Sequence, residues 1–201
     1  MWHRWQLEAS FLRSLAELDR QTAERVRREA CRHCGGPLHV GNYERKPRGL
    51  PAGLEQAMGR EFSLRWSWCC GHCRRRTTPP SVRFLGRKIY IGFVVFLAVV
   101  RGLVVQGIGG AEEAIARVPR RTVRRWARWW SGDFVELAFW QTERGRFAEP
   151  VARERLPESL LERFTGTVAA KLMRALCFVA PITTKTASSV RVVWSRAEDD
   201  I

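Results

Sequence analysis

Cys31-Arg32-His33-Cys34-Gly35-Gly36 and Cys70-Gly71-His72-Cys73 decide how this chain of 201 residues is read. They form two C-x2-C pairs with 35 residues between Cys34 and Cys70. Each pair offers two thiolates from one tight turn, where glycine relieves crowding and lets backbone N–H groups approach the sulfurs. Two such turns at the ends of a small antiparallel sheet complete a tetrahedral four-thiolate zinc site (Cys31, Cys34, Cys70, Cys73), closed to substrate and therefore structural. Residues 31–80 hold few aliphatic side chains, and a segment that small needs a staple. Metal binding is then part of its folding free energy.

Cys69 competes with Cys70 for the third ligand position, but only Cys70 gives the knuckle spacing. His33 and His72 sit inside the knuckles with rings expected to point outward, and His39 is a weaker fourth-ligand alternative. Cys177, the sixth cysteine, falls in an apolar helical stretch and reads as core. The N-terminal residues show no apolar signal region, so the thiols are expected in a reducing, cytoplasmic setting, as metal ligands rather than disulfides.

Working outward, residues 5–29 predict an amphipathic helix. Phe11, Leu12, Leu15, Leu18 and Val26 lie on one stripe; Arg13, Glu17, Asp19, Arg20, Glu24, Arg27 and Arg28 lie on the other side. A short strand is expected over residues 38–43. Residues 61–68 alternate, with Phe62, Leu64, Trp66 and Trp68 on one face and Ser63, Arg65 and Ser67 on the other, predicting a half-buried strand that leads into the second cysteine pair. Residues 89–103 predict a long apolar helix. Arg101 interrupts that run before the 18–20 or so residues a bilayer requires, so a buried helix is expected and no membrane partner.

The formal net charge is +15, and residues 71–130 carry thirteen Lys/Arg against Glu112 and Glu113. Clustering of that kind points to a polyanionic partner. Its focus is a helix expected from Pro119 to Trp130. Val123, Trp126, Ala127 and Trp130 form an apolar stripe, and Arg121, Arg124, Arg125 and Arg128 repeat the spacing on the opposite side. Arg120 adds charge at the start. Like charges at i,i+4 oppose helix formation unless an anion compensates them. A helix of this size fits the major groove of double-stranded DNA, where arginine meets guanine edges or phosphates. Structured RNA is the alternative polyanion. A shorter helix over residues 111–118 is the expected partner of a helix-turn-helix, and Arg74, Arg75 and Arg76 extend the basic surface toward phosphates.

The order of knuckles, then Cys70-Gly71-His72-Cys73-Arg74-Arg75-Arg76-Thr77-Thr78, then Arg120-Arg121-Thr122-Val123-Arg124-Arg125-Trp126, resembles the N-terminal DNA-binding region of zinc-ribbon insertion-sequence transposases over residues 31–130. The resemblance implies DNA contacts from Arg120, Arg121, Thr122, Arg124, Arg125 and Arg128, with Arg74–Arg76 beside them. The further expected partner is a transposase, or a second copy of the chain through the helical region after Asp133. Those transposases continue into an RNase H-like domain whose Asp and Glu residues hold two metal ions. Here the aspartates that follow are Asp133, Asp199 and Asp200, and the remaining segments read as helices without the central sheet such a site needs. No catalytic site is expected: the reading is a transposase-related accessory or remnant, with a transcriptional regulator of the same architecture as the alternative and an active transposase as the weaker one.

The expected fold is mainly α with a small β zinc ribbon. An N-terminal helix (1–30) precedes the ribbon (31–86) and a helix-turn-helix unit (87–132). A C-terminal helical region (133–182) follows, with pieces over 133–142, 157–164 and 168–178, and then a loose tail (183–201).

Overall fold

The computed structural model describes residues 5–6, 9–45, 48, 60–85, 91–100, 105–106, 118–185 and 191–192. The first helix, α1 (Ala9–Arg28), begins later than the periodicity suggests, because Trp5–Gln6 form a strand, β1, paired in parallel with β7 (Val105–Gln106). The apolar stripe of α1 serves two different cores. Phe11, Leu12, Leu15 and Leu18 enter a large one, whereas Ala23 and Val26 enter a smaller one with Cys31, Leu38, Trp68 and Cys70.

The smaller core lies under a three-stranded sheet in the order β2 (Leu38–Val40), β5 (Trp68–Cys70), β6 (Arg76–Thr77), antiparallel throughout. Leu38 faces Cys70 and Val40 faces Trp68 in the register, so the first strand after one knuckle runs beside the strand that enters the other. Trp68 ties this sheet to α1. Its indole N–H donates to the Ala23 carbonyl at 3.0 Å, and the Arg27 guanidinium lies 5.4 Å from its ring centre.

The strand expected over residues 61–68 is broken. Residues Arg60–Ser63 form a 3-10 turn, β4 (Leu64–Arg65) pairs with β3 (Tyr43–Glu44), and pairing resumes only at Trp68. At the break the Ser67 N–H goes to the Asn42 side chain at 3.0 Å, and Gly41 N–H goes to the Ser67 carbonyl at 2.9 Å. Simple alternation therefore fails: Arg65 and Ser67, expected on the solvent face, are both buried. Arg65 donates to the Pro79 carbonyl at 2.6 Å, and burial lowers its pKa from the ordinary arginine value.

Asp19, expected on the polar side of α1, is also buried. Its carboxylate accepts from the Ser81 hydroxyl (2.5 Å), the Val82 N–H (2.7 Å) and Arg83 Nε (2.8 Å). Arg83 donates further to the Phe62 and Leu64 carbonyls at 2.6 and 2.7 Å. A charge that deep persists because it is paired and both partners are hydrogen-bonded as well.

The apolar stretch after residue 90 gives a helix shorter than expected. α2 (Gly92–Leu97) ends where the β-branched Val99 and Val100 follow Ala98. Among the described residues no helix is long and apolar enough to cross a membrane. The arginine-rich helix α3 (Arg120–Ser131) matches its expected bounds within a residue and starts directly after Pro119. The shorter helix expected over residues 111–118 lies outside the described residues apart from Val118, which is a buried bend.

Three more helices follow: α4 (Ala138–Glu143), α5 (Glu158–Glu162) and α6 (Val168–Val179). The first is shorter than the segment 133–142, since residues 132–136 make turns. They pack with α1, α2 and α3 in the large core, so the segments expected as separate units share one interior. The tail is held where it is described. Thr183 accepts the Ser81 N–H at 2.9 Å, Thr184 donates to the Thr78 carbonyl at 2.6 Å, and Val192 is buried in the large core.

Candidate functional site

The two knuckles meet. The sulfur of Cys31 lies 3.6 Å from that of Cys73, and the sulfur of Cys34 lies 3.5 Å from that of Cys70. All four are within 4.8 Å of one another and none is in a disulfide. A tetrahedral ion with metal–sulfur bonds of roughly 2.3 Å needs sulfur–sulfur edges of about 3.8 Å, so the donor set fits a soft divalent metal.

The local backbone explains the convergence. In the first knuckle Gly35 adopts φ +67° and its N–H reaches back to the Cys31 carbonyl at 2.7 Å. Gly36 brings the knuckles together: a Cβ there would sit 2.7 Å from the His72 ring and 3.1 Å from the Cys70 sulfur. In the second knuckle the Cys73 N–H donates to the Cys70 sulfur at 3.4 Å, and Arg74 takes the left-handed φ of 61° that closes the turn.

Those N–H groups shape the thiols. Donation from the Cys73 N–H, with help from the His72 N–H, lowers the Cys70 thiol to about 6. At Cys73 the Arg75 N–H pulls downward, but burial and the three neighbouring sulfurs prevail and push it up to about 12. One thiolate forms readily and its neighbour resists. Four together require a cation.

The other candidates near the cluster stand apart from it. The Cys69 sulfur turns to the Arg74 carbonyl at 3.6 Å. His33 is exposed, with its Nδ1 3.0 Å from an Arg75 guanidinium nitrogen, and His39 packs beside Gly71. Arg74, Arg75 and Arg76 are all exposed, and Arg76 lies 5.4 Å over the Tyr43 ring while donating to the Gly41 carbonyl at 3.3 Å. Arg45 lies over the same ring at 5.3 Å. This aromatic–cation stack escapes sequence reading, because Tyr43 and Arg76 belong to different sheets and meet only in the folded chain.

On α3 the two faces separate. Trp130 is fully buried, with Phe96, Trp129 and Phe134 ring centres 4.7–4.8 Å away. Arg120, Arg121, Arg124, Arg125 and Arg128 are exposed, and among the described residues no carboxylate pairs with any of them. Thr122, expected among the contact residues, is only 7% exposed and turns into the protein, so it is removed from the candidate surface. Its position, between Arg121 and Val123, lies on the inner half of the helix. Guanidiniums held out in this way can pair with phosphate or carboxylate groups of another molecule.

Cys31, Cys70 and Cys73 thus belong to the smaller core, with the exposed Cys34 beside them, and the arginine helix belongs to the large one. Comparison with protein-family models, curated proteins and solved structures finds no match to this chain.

Proposed function

We propose that this chain is a zinc-held protein that binds double-stranded DNA through the arginine face of α3. One observation carries the reading: five guanidiniums project from a helix whose opposite side is fixed by Trp130, with no carboxylate partner among the described residues. Such a row is self-repelling until a polyanion meets it. The four-cysteine cluster supports zinc as the ion, in a closed structural site that orders the ribbon. Zinc there supplies folding free energy, while the chain's own Arg74, Arg75 and Arg76 add positive charge beside it.

The resemblance of residues 31–130 to transposase DNA-binding regions supports a transposition-related accessory role. A regulator of transcription with the same parts is the alternative. Fluorescence anisotropy with a labelled DNA duplex tests the core of the proposal. If the five α3 guanidiniums contact phosphates, log K falls with log salt with a slope of about −4.5. Arg124→Ala with Arg125→Ala should reduce affinity at least tenfold without changing the circular dichroism spectrum. Equal affinity in that double variant, or displacement by structured RNA but not by DNA, would refute the proposal.

A further inference from the structure

Along one flank of α3 runs an open cleft of about 1220 Å³. Its lining includes Arg125, Arg128 and Lys185 as cations and Trp126 and Trp129 as aromatic surface, with Leu85 among the aliphatic residues of the floor. Two carboxylates also line it, Asp133 and Glu143. Glu143 is already neutralised by Arg146 at 2.9 Å and Arg191 at 2.8 Å. Asp133 has no ion-pair partner among the described residues, so three cations face one uncompensated carboxylate there and the mouth favours an anion.

The cleft is continuous with the arginine face. At about 100° per residue, Arg125, Trp129 and Trp126 lie roughly 40°, 80° and 140° round the helix from Arg121. Moving round α3 from the exposed row, one passes a guanidinium at the rim, then two indoles, then the core. Trp126 and Trp129 are each partly buried and both line the cleft, with Trp129 also packed against Trp130 and Phe134, so part of each indole borders the open space.

We infer that this cleft takes an unpaired nucleotide of the DNA bound on α3. The base stacks on the Trp126 and Trp129 surface and its phosphate lies on Arg125, Arg128 and Lys185. This rests on the DNA-binding reading. A base inside a duplex is stacked and cannot enter, so the occupant is a nucleotide at a strand end, a mismatch or an extruded position. Stacking on an aromatic side chain is tolerant of base identity, so the preference is for strand state rather than sequence.

The test uses the full zinc-loaded chain and two duplexes of the same sequence, one blunt and one with a short single-stranded extension carrying 2-aminopurine. The tailed duplex should bind about tenfold more tightly, and its 2-aminopurine emission should be quenched on binding. Trp126→Ala and, separately, Lys185→Gln should bring the tailed-to-blunt ratio toward one. A ratio within one variant cancels any general loss of affinity, and Lys185→Gln, at an exposed position, decides the matter if Trp126→Ala does not fold. Equal binding of tailed and blunt DNA by the unaltered protein would overturn the nucleotide site and leave the DNA-binding reading standing. No binding to either would overturn both. Erasure of the preference by micromolar free deoxynucleoside monophosphate would overturn the strand as source and assign the cleft to a soluble nucleotide.

Discussion

Arg83 Nε donates to Asp19 Oδ2 at 2.8 Å, and each of these side chains is 1% exposed. The pair fastens the middle of α1 to the segment after β6, and through the Phe62 and Leu64 carbonyls to the edge of the ribbon. Removing one partner strands a buried charge, so Asp19→Ala should destabilise the fold by about 3–5 kcal/mol. Asp19→Leu with Arg83→Met should lose clearly less than the sum of the two single changes. Urea unfolding of the four proteins makes the comparison, and additive losses would show that the two residues act independently.

Metal stoichiometry separates the four clustered cysteines from the fifth. Mass spectrometry under native conditions should find one zinc per chain in the unaltered protein and in Cys69→Ser. Cys34→Ser and Cys73→Ser should each lose zinc to a mild chelator that leaves it in the other two, since three thiolates leave the fourth position of the tetrahedron to water. Zinc retained in Cys73→Ser and lost in Cys69→Ser would reverse the ligand assignment.

The anchor of α3 can be weakened without touching its charge. Trp130→Ala empties a site enclosed by Phe96, Trp129 and Phe134 and should cost about 3–5 kcal/mol in thermal or urea unfolding. Trp130→Phe keeps most of the ring contact and should cost less. A loss below about 1 kcal/mol for the alanine variant would mean that the indole is not what holds the helix.

Cys177 gives a pH signature. Burial, with the nearby Asp19 charge adding to it, pushes its thiol up to about 12 from an ordinary value of 9.0. The unfolded chain thus loses this proton first as pH rises. Its contribution to stability is intact below pH 9 and is lost progressively between pH 9 and 12. Replacing Cys177 by alanine should flatten the alkaline limb of the stability curve relative to the unaltered protein, and the native thiol should resist Ellman's reagent at pH 8. Rapid labelling at Cys177 in the folded state would contradict its burial.

The sequence exposed the parts whose chemistry is local. Two C-x2-C spacings located the thiol cluster because a knuckle is built within six residues, and α3 was legible because its indoles and guanidiniums alternate at helical spacing. What escaped was set by distant partners. Asp19 reads as a surface residue of an amphipathic helix until Ser81, Val82 and Arg83 arrive from another segment to satisfy it. Arg65 reads as the outward member of an alternating strand, and only the break at Ser67 turns it inward. Thr122 looked like part of a polar row, although its place on the helix is on the inner half. The cleft beside Trp126 needs Lys185 from far along the chain, which no periodicity could announce.

The 20 residues of α1 make a rod of about 30 Å, gripped near one end by aliphatic side chains and near the other by Trp68. Two interiors threaded on one spindle share its phase. Inserting a single residue between Asp19 and Ala23 would twist one grip against the other by about 100°, while leaving the helix itself sound. The length and pitch of this one element therefore act as a gauge block for the whole molecule.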